Sequence, residues 1–185
     1  MAEYYLISQL PSLDGLSDSA PLPITEERFL ELCGRFLGKK AQNEIKNLTI
    51  SPSKYMEESG SALIDAWNKS EQSLRFALGK IRAEKMNKQF DIGNRILPVE
   101  HTRAAGIALE MENPMEAEKY LNRHRLGILE SLRPTDSFSN DYIYYYGLKL
   151  KLLLRLKQFD TDRGEASYKK IYSSILSGED LEARK

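Results

Sequence analysis

The stretch that decides the fold runs from Ser59 to Gln89, SGSALIDAWNKSEQSLRFALGKIRAEKMNKQ. Leu63, Trp67, Ser70, Leu74, Leu78, Ile81 and Lys85 recur in it every three or four residues. That is the spacing of one face of an α-helix, because side chains three and four positions apart lie above one another. Gly79 weakens such a helix locally without ending it. A helix of this reach, roughly 45 Å at the usual rise per residue, is expected to be a spine carrying smaller helices.

Toward the N-terminus, Ser51-Pro52 breaks the chain, and a weaker helical segment covers Lys39 to Leu48. A stronger helix starts near Thr25. The Thr25 hydroxyl is placed to cap free amides, and Glu26 and Glu27 suit the positive helix end. Ile24 and Phe29 are spaced as a hydrophobic staple. Phe29, Leu32, Cys33, Phe36 and Leu37 share one face, and Gly38 ends the run. Upstream, PSLDGLSDSAPLP (11–23) has the composition of a loop. The first segment, EYYLISQL (3–10), is too short for periodicity to separate a strand from a helical turn, and both readings stand.

Toward the C-terminus, Asp91 to Pro98 is a connector and Val99 to Met111 is helical, with Ala104, Ile107, Ala108 and Met111 on one face. Asn113-Pro114 restarts a helix: Asn113 caps, Pro114 takes the first helical position and Glu116 completes a capping box. That helix carries Ala117, Tyr120, Leu121, Ile128 and Leu132. A loop from Arg133-Pro134 to Asn140 precedes a helix over Asp141 to Phe159, and Asp160 or Thr161 caps a last helix ending near Leu176. Gly178 closes it ahead of a frayed charged tail. The fold class is therefore all-α: a helical bundle or stacked helical hairpins around one long helix, with a short strand or turn at the N-terminus as the one open exception. Residues 1–185 form a single helical domain, divisible into lobes at 1–95 and 96–185.

Composition narrows the function. At 185 residues the chain can bury a core without disulfides or metal, and 41% hydrophobic with 29% charged residues places it among globular rather than disordered chains. Lys plus Arg equals Asp plus Glu at 27 each, so nothing draws the whole molecule to nucleic acid. Cys33 is the only cysteine, which rules out a disulfide within the chain and points to a reducing compartment, with Cys33 as a small buried apolar group. No signal peptide is expected. The apolar stretch Leu148 to Leu156 is interrupted by Lys149, Lys151 and Arg155 and cannot span a bilayer.

Catalytic machinery is absent from the sequence pattern. His101 and His124, the only histidines, fall in separate helices with no second ligand at metal spacing, and His101 reads as an exposed or capping residue near a helix start. Gly34-Arg35-Phe36-Leu37-Gly38-Lys39-Lys40 lacks the hydroxyl ending and the preceding strand that a phosphate loop needs. Glu26-Glu27 and Glu57-Glu58 read as solvated helix ends, and no Gly-x-Ser-x-Gly turn occurs. The reading is no enzyme, no catalytic residue, no cofactor and no metal.

Two features remain. Tyr142, Tyr144, Tyr145 and Tyr146 follow closely on Phe138. Successive helical residues point about 100° apart, so the four tyrosines cannot share one core and some are expected at the surface, where tyrosine suits protein contacts. A crowded junction of several helices is the competing reading. Gly147 to Gln158 holds Lys149, Lys151, Arg155 and Lys157 without an acid, interleaved with six leucines. The leucines make this helix central to the C-terminal half. The cations either snorkel along its edges or form a basic face for an acidic partner or lipid headgroups. The candidate interaction surface is therefore Phe138, Tyr142, Tyr144, Tyr145, Tyr146, Lys149, Lys151 and Arg155.

Tyr4 to Leu13 (YYLISQLPSL) and Asp141 to Leu153 (DYIYYYGLKLKLL), with Arg155-Leu156 and Phe159-Asp160 beyond, resemble a small bacterial family encoded among V-type ATPase subunit genes. Through it the chain resembles the central-stalk subunit called C in bacteria and d in eukaryotes. The resemblance covers the first dozen residues and the last third of the chain. It implies an all-helical, non-catalytic subunit or accessory factor that links the central stalk to the membrane ring. Implied partners are the central-shaft subunits and the proteolipid ring, and the implied location is cytoplasmic, peripheral to the inner membrane through those partners. This chain is about half the usual length of that subunit, so a full funnel of three lobes is not implied. A free-standing helical adaptor between proteins is the alternative.

Overall fold

The computed structural model describes residues 2–16, 20–52, 59–158 and 161–177. The described residues form eight α-helices and no strand: α1 Ala2–Gln9, α2 Glu26–Phe36, α3 Lys39–Asn47, α4 Ala62–Lys85, α5 Val99–Glu110, α6 Pro114–Ser131, α7 Asn140–Gln158 and α8 Thr161–Ser177. The all-α reading holds. EYYLISQL is helical, which closes the strand alternative: Leu6 is fully buried in the core while Tyr4 and Tyr5 face out. Asp160 and Gly178 lie outside the described residues.

Local chemistry sets most helix ends. Thr25 Oγ1 accepts from the Arg28 amide at 3.2 Å, and Ile24 and Phe29 are both buried in one cluster. The C-terminal carbonyls of α2 are satisfied from α3, where Gln42 Nε2 donates to Gly34 O at 3.0 Å and to Leu37 O at 2.7 Å. That bond fixes the elbow between the two helices. Ser61 caps α4 by accepting from the Ile64 amide, and its hydroxyl donates to Asp141 Oδ1 at 2.7 Å, tying the start of α4 to the first turn of α7. At the other end of α4, Asn87 takes φ +53°, Lys88 N donates to Ala83 O and Asn87 N to Glu84 O. This pair of bonds is a Schellman closure, with asparagine in the left-handed position that glycine usually fills. Asn113 accepts from the Met115 amide at 2.9 Å and Pro114 opens α6, while the Glu116 carboxylate pairs with Lys119 at 3.2 Å.

Two apolar clusters share α4. The larger joins Leu6, Phe29, Ile45, Leu63, Trp67, Leu129 and the buried face of α7; the smaller joins Leu74, Ala77, Leu78, Ala105, Ala108 and Leu121. At 24 residues α4 is about 36 Å long, and it runs through both, so the spine reading holds with a shorter helix. The clusters do not divide near residue 95. The helix at the centre of the larger one is α7, which packs with α2, α3, α4 and α6. It is central to the N-terminal helices as much as to the C-terminal half. Gly147 permits this approach: a Cβ there would stand 3.0 Å from Leu48 Cδ2 and 3.1 Å from Phe29 Cε1. The side chains of α8 from Gly164 to Ser173 are exposed.

Candidate functional site

The segment ahead of α7 is held by Asp136 and Ser139. The Phe138 amide donates to Asp136 Oδ1 at 2.9 Å, and Ser139 Oγ accepts from the Tyr142 amide at 3.2 Å. The next turns place Tyr144, Tyr145 and Tyr146 in the core, at 5%, 2% and 5% exposure. Tyr142 is half-buried. Of the two readings, tyrosines at the surface and a crowded junction of several helices, the junction describes three of the four, because protein surrounds α7 on nearly every side. The Tyr146 hydroxyl donates to Pro11 O at 2.8 Å, and its ring lies 5.5 Å from Phe29. Tyr142 and Tyr145 lie 5.7 Å apart, with the Arg133 guanidinium near both rings. Burial raises the hydroxyl pKa of all three core tyrosines, that of Tyr145 to about 12.

The cations of α7 are matched by acids of the same chain. The Lys149 ammonium, in a side chain 9% exposed, bonds the carboxylates of Asp14 and Glu130 and lies 3.3 Å from the Tyr145 hydroxyl. Burial works against its charge, and the bonds to Asp14, Glu130 and Tyr145 outweigh it, holding the group above the ordinary lysine range. Asp14 is held low, chiefly by its bond to Lys149, with Arg133 adding to the effect. Lys151 pairs with Glu26 at 3.0 Å and Arg155 with Glu118 at 2.7 Å. Lys157 donates to Ala20 O. Lys149, Lys151 and Arg155, read either as cations snorkelling along the helix edges or as a basic face for an acidic partner, are each paired with an acid of the chain itself. Their charges are spent tying the N-terminal segment, α2 and α6 to α7.

Of the eight candidate residues, Phe138 is the exposed one, at 53%, and the structure gives it partners that the sequence did not suggest. Its ring lies 5.2 Å from Tyr4, which meets Tyr5 edge-on at 5.9 Å. Tyr4 and Tyr5 are 56% and 57% exposed. Three aromatic rings from segments far apart in the sequence thus share one surface patch. The available signal was EYYLISQL read as a helix: Leu6 turned inward leaves Tyr4 and Tyr5 outside.

A second convergence was also missed. His101 is buried, contrary to its reading as an exposed or capping residue. Its Nδ1 lies 3.0 Å from His124 Nε2, and its Nε2 lies 3.1 Å from Ser70 Oγ. Beside them Glu71 and Arg125 form a two-pronged ion pair at 2.9 and 3.0 Å, with the Glu71 side chain 1% exposed. The histidines stand 23 positions apart on different helices, and no linear spacing announces them. Cys33 is buried as expected, and burial pushes its thiol up to about 12.

Among the described residues no three His, Cys, Asp or Glu side chains gather as metal ligands, and no helix is long and apolar enough to cross a membrane. An open groove of about 620 Å³ lies between α5 and α6, with Val99, Ala104, Tyr120, His124 and Ile128 on its walls. No protein-family model, curated protein or solved structure matches the chain.

Proposed function

We propose that this chain is a non-catalytic coupling subunit or accessory factor of a bacterial V-type rotary ATPase, seated by protein contacts between the central shaft and the membrane ring. One observation supports it above the others. The two stretches that resemble that family, Tyr4–Leu13 and Asp141–Leu153, fold against each other. Tyr146 bonds Pro11, and Leu6 and Leu13 are buried in the cluster that holds α7. Together they present Tyr4, Tyr5 and Phe138 outward. A coupling protein needs a stiff body with a defined contact patch, and exposed aromatics are the residues that most often carry contact energy. Attachment at the cytoplasmic face of the membrane would run through the shaft and ring subunits.

The test is recovery of ATPase shaft and ring subunits with the tagged full-length chain in mild detergent. The triple variant Tyr4→Ala, Tyr5→Ala, Phe138→Ala is expected to keep its helicity and melting temperature. Loss of about 2 kcal/mol of contact energy would cut recovery at least tenfold. Wild-type protein that brings down no ATPase subunit refutes the proposal. The groove between α5 and α6 favours a second reading, a free-standing adaptor that seats a peptide there. Recovery of other proteins, abolished by Ile128→Asp and untouched by the triple variant, would establish that reading instead.

A further inference from the structure

The bond between His101 and His124 connects α5 to α6, and the bond between His101 and Ser70 connects α5 to α4. Three helices therefore meet through two imidazoles and a hydroxyl. The apolar cluster beside them is small, with three alanines among its six buried members.

Counting protons shows what this chain tolerates. In the neutral pair one N–H lies between the rings. Either His101 Nδ1–H donates to His124 and Ser70 donates to His101 Nε2, or His124 Nε2–H donates to His101 and His101 Nε2–H donates to Ser70. One added proton on an outer nitrogen leaves both bonds in place, since the serine hydroxyl can turn from donor to acceptor. A second proton sets N–H against N–H across 3.0 Å and brings two positive charges together. The pair faces Glu71 from α4, Glu100 and Arg103 from α5, and Arg125 and Tyr120 from α6. Glu71 is already engaged by Arg125, which leaves Glu100 as the one unclaimed carboxylate in that set to meet two new charges. The two nitrogens face each other in hydrogen-bond geometry, and no third metal-binding side chain joins them among the described residues. The arrangement is a shared proton, not a chelate.

We propose that Ser70, His101 and His124 form an acid-sensitive joint, and that double protonation parts α5 from α6 while the core around α7 stays closed. Burial depresses both imidazoles below the ordinary histidine range, and their mutual repulsion adds to this for His124. A depressed histidine favours the closed form above its unfolded value and loses that contribution as pH falls through the folded value. The window therefore opens near pH 6.5 and extends downward. These are the only histidines in the chain, so the imidazole resonances followed between pH 7 and 5 report on this joint alone.

The experiment is hydrogen exchange of the full-length chain at pH 7.5 and 5.0, corrected for the intrinsic rate, together with NMR titration of both imidazoles. The expected result is a loss of protection in α5 and in α6 up to His124 of about tenfold for each pK unit of depression. Residues 143–152 of α7 should keep theirs. His124→Gln removes the second charge and leaves only the buried His101 to titrate, so α5 protection should fall by clearly less than in the wild type between pH 7.5 and 5.0. Unchanged protection in the wild type, an equal loss in every helix, or the same response in His124→Gln overturns the proposal. If that variant does not fold, the wild-type titration decides. A second midpoint below the free-histidine value that coincides with the α5 amide changes supports the joint, and a second midpoint at or above that value overturns it.

Discussion

Lys149 holds two acids from distant parts of the chain, and removing those acids one at a time and together measures what the clasp contributes. Asp14 and Glu130 are 55% and 41% exposed, whereas Lys149 is 9% exposed. Asp14→Ala alone leaves the ammonium paired with Glu130, and Glu130→Ala leaves it with Asp14. Each single change therefore costs about 1 kcal/mol, the upper range for a solvent-screened pair. The double variant leaves a buried ammonium with only the Tyr145 hydroxyl beside it, and an uncompensated charge of that kind costs about 3–5 kcal/mol. The excess over the two single losses is a coupling of about 1–3 kcal/mol. Lys149→Met keeps the apolar stem and removes the charge, while both carboxylates turn to water. It is expected within about 1 kcal/mol of wild type. Urea unfolding resolves these values: with a slope of about 2 kcal/mol/M, the double variant moves the midpoint by roughly 2 M. Additive single losses, or a Lys149→Met variant as weak as the double, would refute the view that a desolvated charge governs this clasp.

Further outcomes follow from the same packing. Gly147→Ala sets a methyl group 3.0 Å from Leu48 and 3.1 Å from Phe29, both deeply buried, and overpacking there should cost about 1–3 kcal/mol by thermal or urea unfolding. Gly79→Ala meets the Phe90 ring at 2.7 Å, but that ring is 42% exposed and free to swing outward. Helix propensity should then leave the change neutral or stabilising by up to about 1 kcal/mol. In alkali, Lys149 is raised in the folded state, and its contribution is complete below its unfolded value and fades as pH climbs through the folded one. Tyr145, raised to about 12, adds to that loss over the same interval above its ordinary value, because the unfolded chain gives up the phenol proton first. Stability followed by circular dichroism should hold to about pH 10 and decline above it. Ionisation of the core tyrosines, read by ultraviolet absorbance, should coincide with unfolding rather than precede it.

The fold was legible where its causes are local. Thr25, Asn113-Pro114 and the break at Ser51-Pro52 act within one turn of chain, and the helices they bound lie within a few residues of expectation. EYYLISQL was not decidable because eight residues hold two helical turns; what settles it is Leu6 packing against helices far along the chain. The tyrosines misled for a related reason. The argument from 100° steps assumes that a helix has a solvent side, and α7 has almost none. Its basic stretch contains no acid, yet Asp14, Glu26, Glu118 and Glu130 arrive from other segments to neutralise it. Charge balance of this kind is a tertiary property. The histidine joint is another, since a single residue on each of two helices leaves no pattern to find.

The contacts between the first fifteen residues and α7 bear on how the molecule is made. Pro11 meets Tyr146, and Asp14 meets Lys149, each across 135 positions. On a ribosome emitting the chain from its N-terminus, Leu6 and Leu13 can meet α2 early but lack the α7 side of their cluster until four-fifths of the sequence has emerged. Until then Phe29, Leu48 and Trp67 surround a vacant slot the width of one helix. The nascent protein spends most of its synthesis with its largest greasy surface open, so protection during translation, by a chaperone or by speed, is a requirement written into its topology.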